Sequence, residues 1–151
     1  MASNNLVRWG EELKSAGRYT FISLFVEYTS FEVNIHLRVS SPSQEILTVT
    51  IQGVLAFRRT AVAYADTTDI LRIVKSSDKM SLFHDWPFFI IENSDYAQLL
   101  YQESCCFYPA EGFTHFVIVT NDTIIDLAIL NFDDESVQLK TTKNIFHPNK
   151  G

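Results

Sequence analysis

The sequence predicts a single α+β domain over residues 1–151, in which two helices pack on a strongly twisted antiparallel sheet of about six or seven strands. A length of 151 residues fits one domain with a hydrophobic core, and neither a repeat nor a linker divides the chain. Twelve Phe and six Tyr against only five Gly favour strands with large packing side chains.

The first element is predicted to be a helix over residues 5–16. Leu6, Trp9 and Leu13 recur at helical spacing on one stripe, and Gly17 can end the helix. The stripe indicates a helix that packs on the core through its tryptophan.

From residue 19 the hydrophobic period changes to two, which indicates strands. Residues 21–28 are apolar at nearly every position, as in a strand covered on both faces. Residues 31–40 and 45–59 alternate strictly and predict a hairpin, with a bulge at Gly53 in the second strand. We expect a solvated polar face on this hairpin, made by Glu32, Asn34, His36, Arg38, Thr48, Thr50 and Gln52.

The middle of the chain is less regular. Residues 60–82 fit either a short strand or a helical turn. Pro87 and the Phe and Ile residues after it predict an extended segment over 81–94.

A second helix is predicted over residues 94–105, since Ser94 or Asp95 can cap its start. A last strand is predicted over residues 136–141, after an acidic turn. The adjacent pair Cys105-Cys106 is expected to be a buried thiol pair, with a redox role as the alternative.

The stretch FTHFVIVTNDTIIDLAIL, residues 113–130, predicts a hairpin around its Asn-Asp turn. In that register Val117 pairs with Asp126, so His115 and Asp126 become diagonal neighbours on one face, within roughly 7–8 Å. The opposite face must be the core, and it carries Phe116, Ile118, Ile125 and Leu127.

The charge is unevenly divided. Residues 1–75 carry eight Lys or Arg and seven Asp or Glu, whereas residues 76–151 carry four and eleven, a balance of −7. An acidic half repels phosphate, which argues against nucleic acid and suits a basic protein partner. The alternative is that the acidic residues only keep the protein soluble.

Several function classes lack their signatures. No apolar run approaches the ~20 residues of a membrane helix, and the start lacks a signal-peptide layout, so we expect a cytosolic protein with no membrane contact. The chain has no glycine-rich phosphate loop, no nucleophile elbow around a serine, no HExxH and no CxxC pair. We therefore expect no cofactor and no metal.

Two constellations are candidates for function. His115 with Asp126 is either a dyad, in which the carboxylate tunes the imidazole, or one satisfied polar contact on a sheet. The segment around His84, Asp85 and Trp86 is either a pocket or interface anchor, or a loop whose aromatic residues complete the core. The candidate binding residues are His84, Asp85, Trp86, Glu92, Asp95, Tyr96, Tyr108, Glu111, His115 and Asp126, and none is assigned a catalytic or metal-binding role.

Residues 91–130 resemble small bacterial immunity proteins of polymorphic toxin systems. The resemblance rests on a carboxylate-Asn-Ser helix start, a QES helix end, a His-aromatic-x-Ile-x-Thr strand and an IIDLA strand. It covers about a quarter of the chain and implies a cytosolic α+β protein that occludes the active site of a cognate toxin. It transfers no catalytic residue.

We therefore expect a non-enzymatic, cytosolic protein-binding domain of the immunity type, which meets a basic partner through its acidic, aromatic-rich second half. Exposed sheet edges would also allow a homodimer. The alternative is a small-molecule-binding or hydrolytic protein with a pocket made by His84, Asp85, His115 and Asp126.

Overall fold

The structure, a computed structural model, describes residues 5–10, 19–27, 31–39, 45–61, 87–103, 112–120 and 122–143. Nine strands and one short helix make up these residues, and the strands form two antiparallel sheets. The protein is therefore mainly β, and the prediction of an α+β domain with one sheet and two helices is wrong.

The strands are β1 (Asn5–Arg8), β2 (Tyr19–Glu27), β3 (Glu32–Val39), β4 (Glu45–Ile51), β5 (Val54–Ala61), β6 (Phe88–Glu92), β7 (Phe113–Val119), β8 (Thr123–Leu130) and β9 (Val137–Lys143), and the helix α1 is Asp95–Glu103. One sheet has five strands in the order β1-β6-β7-β8-β5. The other has four, in the order β2-β3-β4-β9. The last strand thus joins β4, far from it in sequence, and not its neighbour β8.

The first four residues of the predicted N-terminal helix form the strand β1. Its Leu6 pairs with Ile91 of β6, where the edge of the five-stranded sheet offers the backbone a hydrogen-bonding partner. The Trp9 amide donates to the Phe88 carbonyl at 3.1 Å, and the indole packs edge-on against Phe116 with ring centroids 5.3 Å apart. The apolar residues whose spacing predicted a helix are therefore Leu6 in a strand and Trp9, which packs on the core directly after that strand. Residues 11–16 lie outside the described part of the chain.

The single strand predicted over residues 45–59 is two strands in different sheets. Gln52 and Gly53 carry the chain from β4 into β5, with Gly53 at φ +73°. The Leu130 amide donates to the Gly53 carbonyl at 2.9 Å, and a Cβ on Gly53 would lie 2.9 Å from the Leu130 oxygen. Gly53 is therefore a crossover between sheets and not a bulge.

The second hairpin has the predicted register. His115 pairs with Ala128 and Val117 with Asp126, between β7 and β8. The predicted strands over 21–28 and 31–40 are found as β2 and β3, and α1 lies inside the predicted second helix. Residues 62–86 and the two cysteines lie outside the described residues.

The two sheets share one core. The four-stranded sheet contributes Ile35, Leu37, Val49 and Ile51, and the five-stranded sheet contributes Phe116, Ile118, Ile125, Leu127 and Ile129, all fully buried. The alternating pattern of each strand places these side chains between the sheets, as in a sandwich. The outer face of the five-stranded sheet is left for α1, which buries Tyr96 and Ala97.

The polar face of β3 and β4 is ordered by side-chain hydrogen bonds. Asn34 Nδ2 donates to Glu32 at 2.8 Å, Thr50 donates to Asn34 at 2.7 Å, and Gln52 Nε2 donates to Glu32 at 2.7 Å. The bonds from Asn34 and Gln52 lower the pKa of the Glu32 carboxyl. Part of the expected solvated face is thus a hydrogen-bonded network of Glu32, Asn34, Thr50 and Gln52.

No helix among the described residues is long and apolar enough to span a bilayer.

Candidate functional site

Four polar side chains lie in line on the outer face of the five-stranded sheet. Ser94 joins β6 to α1, His115 lies on β7, Asp126 on β8 and Arg58 on β5. Because the sheet order is β6-β7-β8-β5, these four side chains come from successive neighbours across the sheet. We call them the polar row.

The polar row is a continuous chain of hydrogen bonds. His115 Nδ1 lies 2.5 Å from Ser94 Oγ, and its Nε2 lies 2.7 Å from Asp126 Oδ1. Arg58 donates to the second carboxylate oxygen from Nε at 3.2 Å and from Nη2 at 3.1 Å. His115 and Asp126 are 1% and 0% exposed, so water does not screen the contact between them.

The chemistry of the row fixes the proton between Asp126 and His115. A carboxylate paired with a guanidinium can only accept, so this proton belongs to His115 Nε2. When the imidazole is neutral, its lone pair lies on Nδ1 and accepts the hydroxyl proton of Ser94. The row therefore points a basic nitrogen at a serine oxygen.

Tyr96 packs over the polar row from α1. Its ring lies 5.0 Å from the His115 ring, and the Arg58 guanidinium lies 4.7 Å from its centroid. Burial, together with the nearby Asp126 carboxylate, raises the pKa of the Tyr96 phenol to about 12 against the opposing effect of Arg58. Tyr96 was predicted as a contact residue for a partner, but it is buried and covers the row instead.

Ser94 has a second role as the cap of α1. Its Oγ accepts the Ala97 amide proton at 3.1 Å, and its carbonyl accepts from the Gln98 amide at 3.2 Å. The preceding Asn93 adopts φ +54°, which turns the chain from strand into helix. The cap at Ser94 is confirmed, while its contact with His115 was not predicted.

A cleft of ≈ 410 Å³ opens beside the row, between β6, β7 and α1. We call it the α1 cleft. Ser94 belongs to both the cleft and the polar row, so it links the buried imidazole to an open space. The cleft is lined by Ile90, Ile91, Glu92, Asn93, Ser94, Ala97, Gln98, Phe113 and Thr114.

The predicted site residues are only partly brought together. His115 and Asp126 are in contact, Tyr96 joins them, and Glu92 and Asp95 are exposed near the start of α1. The remaining predicted residues, His84, Asp85, Trp86, Tyr108 and Glu111, lie outside the described residues. Within the part of the chain that the structure describes, no group of three or more His, Cys, Asp or Glu could hold a metal ion.

Two members of the polar row were missed from the sequence. Arg58 faces Asp126 because β5 pairs with β8, a pairing that the predicted single strand over 45–59 conceals. Ser94 could have been found from the pairing of β6 with β7. Ile91 pairs with His115 in that register, and the predicted helix cap Ser94 comes only three residues after Ile91, which brings it close to His115.

No family model matches the chain, and no curated protein or solved structure matches it either.

Proposed function

We propose that this protein acts by binding a basic protein, and that the α1 cleft receives a lysine or arginine side chain of that partner. The observation that carries the proposal is the Glu92 carboxylate on the wall of the cleft, with exposed Asp95 close to it in the chain. Between Pro87 and Glu103 the chain has three carboxylates and neither Lys nor Arg. A cationic side chain therefore meets only attractive charge along this segment.

The lining of the α1 cleft suits the two parts of a long basic side chain. Ile90, Ile91 and Phe113 offer apolar surface to its methylene stem. Glu92 can pair with its charged head, and Gln98 and Thr114 add oxygen acceptors.

The polar row supports such a site by holding α1 in place. Ser94 holds the start of the helix against β7 through its hydrogen bond with His115, and Tyr96 packs on the polar row from the first turn of the helix. A wall that is fixed before the partner arrives loses less conformational entropy on binding. The buried row thus contributes to binding without touching the partner.

The resemblance of residues 91–130 to immunity proteins adds a class of partner. In that reading the bound protein is a toxin, and the acidic cleft and helix occlude its active site. The acidic balance of residues 76–151 supports a basic toxin.

The test is a pull-down from the source cell with the products of neighbouring genes present. We expect wild type to retain a basic protein in stoichiometric amount and Glu92→Lys to bind it at least about tenfold more weakly, because the substitution replaces attraction by repulsion. Glu103→Lys is the matched control, since it makes the same charge change at the far end of α1. Equal retention by wild type and Glu92→Lys, or retention of nothing by wild type, would contradict the proposal.

A further inference from the structure

We infer that Ser94, His115 and Asp126 form an acyl-transfer site that opens into the α1 cleft and hydrolyses small esters. The inference rests on the geometry of the polar row and does not depend on the proposed protein partner. It assigns Ser94 as nucleophile, His115 as general base, and Asp126 and Arg58 as positioning residues.

The order of hydrogen bonds is the one that nucleophilic catalysis by serine requires. The Ser94 hydroxyl faces a basic imidazole nitrogen at 2.5 Å, and the opposite ring nitrogen is held by a carboxylate at 2.7 Å. Here Nδ1 faces the serine and Nε2 the carboxylate. The chemistry needs a basic nitrogen that faces the hydroxyl and a restrained N–H on the opposite side of the ring, and either ring nitrogen can take either part.

The backbone around Ser94 presents its hydroxyl at a strand-to-helix turn. β6 ends at Glu92, Asn93 turns the chain in the left-handed region, and α1 begins directly after Ser94. The succession of strand, tight turn and helix is the one found at a nucleophile elbow, with the strained residue placed at Asn93, directly before the serine. The sequence lacks the glycines that usually flank such a serine, but asparagine also tolerates the left-handed conformation. That absence is why the sequence pattern argued against an elbow.

The position at the start of a nine-residue helix favours negative charge on a reacting oxygen. Amide N–H groups of the first turn and the helix dipole are both directed there. The Ala97 amide also donates to Ser94 Oγ and holds the hydroxyl in one orientation.

The reaction balances without any further reactant than water. Ser94 Oγ forms a bond to the ester carbonyl carbon while its proton passes to His115 Nδ1. The bond from carbon to the alcohol oxygen breaks, and the leaving oxygen takes that proton from His115. Water then attacks the acyl group on Ser94, gives one proton to His115, and the returning proton restores the Ser94 hydroxyl as the carboxylic acid leaves.

The α1 cleft defines the substrate class. Its ≈ 410 Å³ accommodates a small molecule, and Ile90, Ile91 and Phe113 favour an apolar acyl group. Glu92 disfavours anionic substrates. The predicted substrates are short-chain esters that are neutral or carry a positive charge.

The test is covalent labelling of folded wild-type protein with a fluorophosphonate probe, followed by intact mass and peptide mapping. The probe forms a bond from serine oxygen to phosphorus with loss of fluoride, so it reports an activated serine directly. We expect one adduct, on Ser94, none in Ser94→Ala, and a labelling rate at least about 100-fold lower in His115→Gln. Hydrolysis of 4-nitrophenyl acetate should fall in parallel.

Ser136→Ala is the matched control and should label as wild type does. Ser136 is also a buried serine that holds a turn, through the Asp133 amide at 2.9 Å, but no imidazole contacts it in the described structure. The wild-type labelling rate should also rise with pH, because activation of Ser94 needs an unprotonated general base. This measurement replaces the His115 variant if that variant does not fold. No adduct on wild type, an adduct elsewhere than Ser94, or a rate unaffected by both pH and His115→Gln would overturn the inference.

Discussion

Arg58 and Asp126 are directly paired residues of β5 and β8, and the guanidinium donates two hydrogen bonds to one carboxylate oxygen at 3.1 and 3.2 Å. The other oxygen accepts from His115, so both oxygens of a fully buried carboxylate have partners. A buried charge is tolerated only when it is hydrogen-bonded and paired with an opposite charge. Asp126 is therefore the central member of the polar row.

Asp126→Ala should lower the free energy of unfolding by about 2–4 kcal/mol, because it leaves buried His115 without its acceptor and removes the ion-pair partner of Arg58, whose side chain is 33% exposed. Urea denaturation followed by far-UV circular dichroism measures the change. Asp122→Ala in the same hairpin is the control, since it removes an exposed carboxylate that lies 3.0 Å from the Thr120 hydroxyl and should cost no more than about 1 kcal/mol. Equal effects of the two substitutions would argue against a paired buried carboxylate.

Tyr96 should make stability fall at alkaline pH. Its pKa is raised to about 12 in the folded protein, against about 10 in an unfolded chain. Between these values the unfolded state releases a proton that the folded state keeps, so stability is full below pH ~10 and is lost toward pH ~12.

Ultraviolet absorbance of tyrosinate should resolve this residue as one late step among the six tyrosines. Tyr96→Phe should remove the late step, whereas Tyr101→Phe on the same helix should leave it in place. A late step that survives in Tyr96→Phe would assign it to another residue.

Gly53→Ala should destabilise the protein by about 2 kcal/mol or more. The backbone at φ +73° disfavours a side chain, and the new Cβ would lie 2.9 Å from the Leu130 carbonyl oxygen. Gly53→Asn separates the two causes, because asparagine accepts this backbone conformation but keeps the Cβ. Thermal unfolding should find both variants destabilised, and full recovery with asparagine would show that the close contact does not matter.

Thr120→Val should lower the free energy of unfolding by about 1–3 kcal/mol. The Thr120 hydroxyl donates to the Thr123 carbonyl at 2.8 Å and accepts from the Thr123 amide at 3.0 Å, inside the buried end of the hairpin. Valine keeps the shape but leaves the Thr123 amide without that acceptor, while the Thr123 carbonyl keeps its bond from the backbone amide of residue 120 at 2.9 Å. Thr48→Val, on the polar face of β4, should change stability by less than about 0.5 kcal/mol, and a comparable loss there would contradict the argument.

The hairpin of β7 and β8 could be predicted in detail because its information is local. A short turn fixes the register, and alternation fixes the face, so the pairing of Val117 with Asp126 follows from nearby residues alone. The helix cap at Ser94 could be predicted for the same reason, because a cap residue directly precedes the helix that it stabilises.

Pairings between distant segments could not be predicted in this way. The spacing of Leu6 and Trp9 suits a helix, and only the free edge of β6 makes that segment a strand. Similarly, nothing near Arg58 indicates that its partner is Asp126, 68 residues later. The two sheets, and with them half of the polar row, are decided by such long-range contacts.

The order of strands in the four-stranded sheet also has a consequence for synthesis of the protein. One edge of β4 pairs with β3, which precedes it in the chain. The other edge pairs with β9, which is synthesised much later and whose Val137 is the partner of Ile51. On the ribosome, β4 leaves the exit tunnel long before β9 does. The nascent chain therefore carries an open strand edge until β9 emerges, and chaperones or neighbouring nascent chains can compete for that edge.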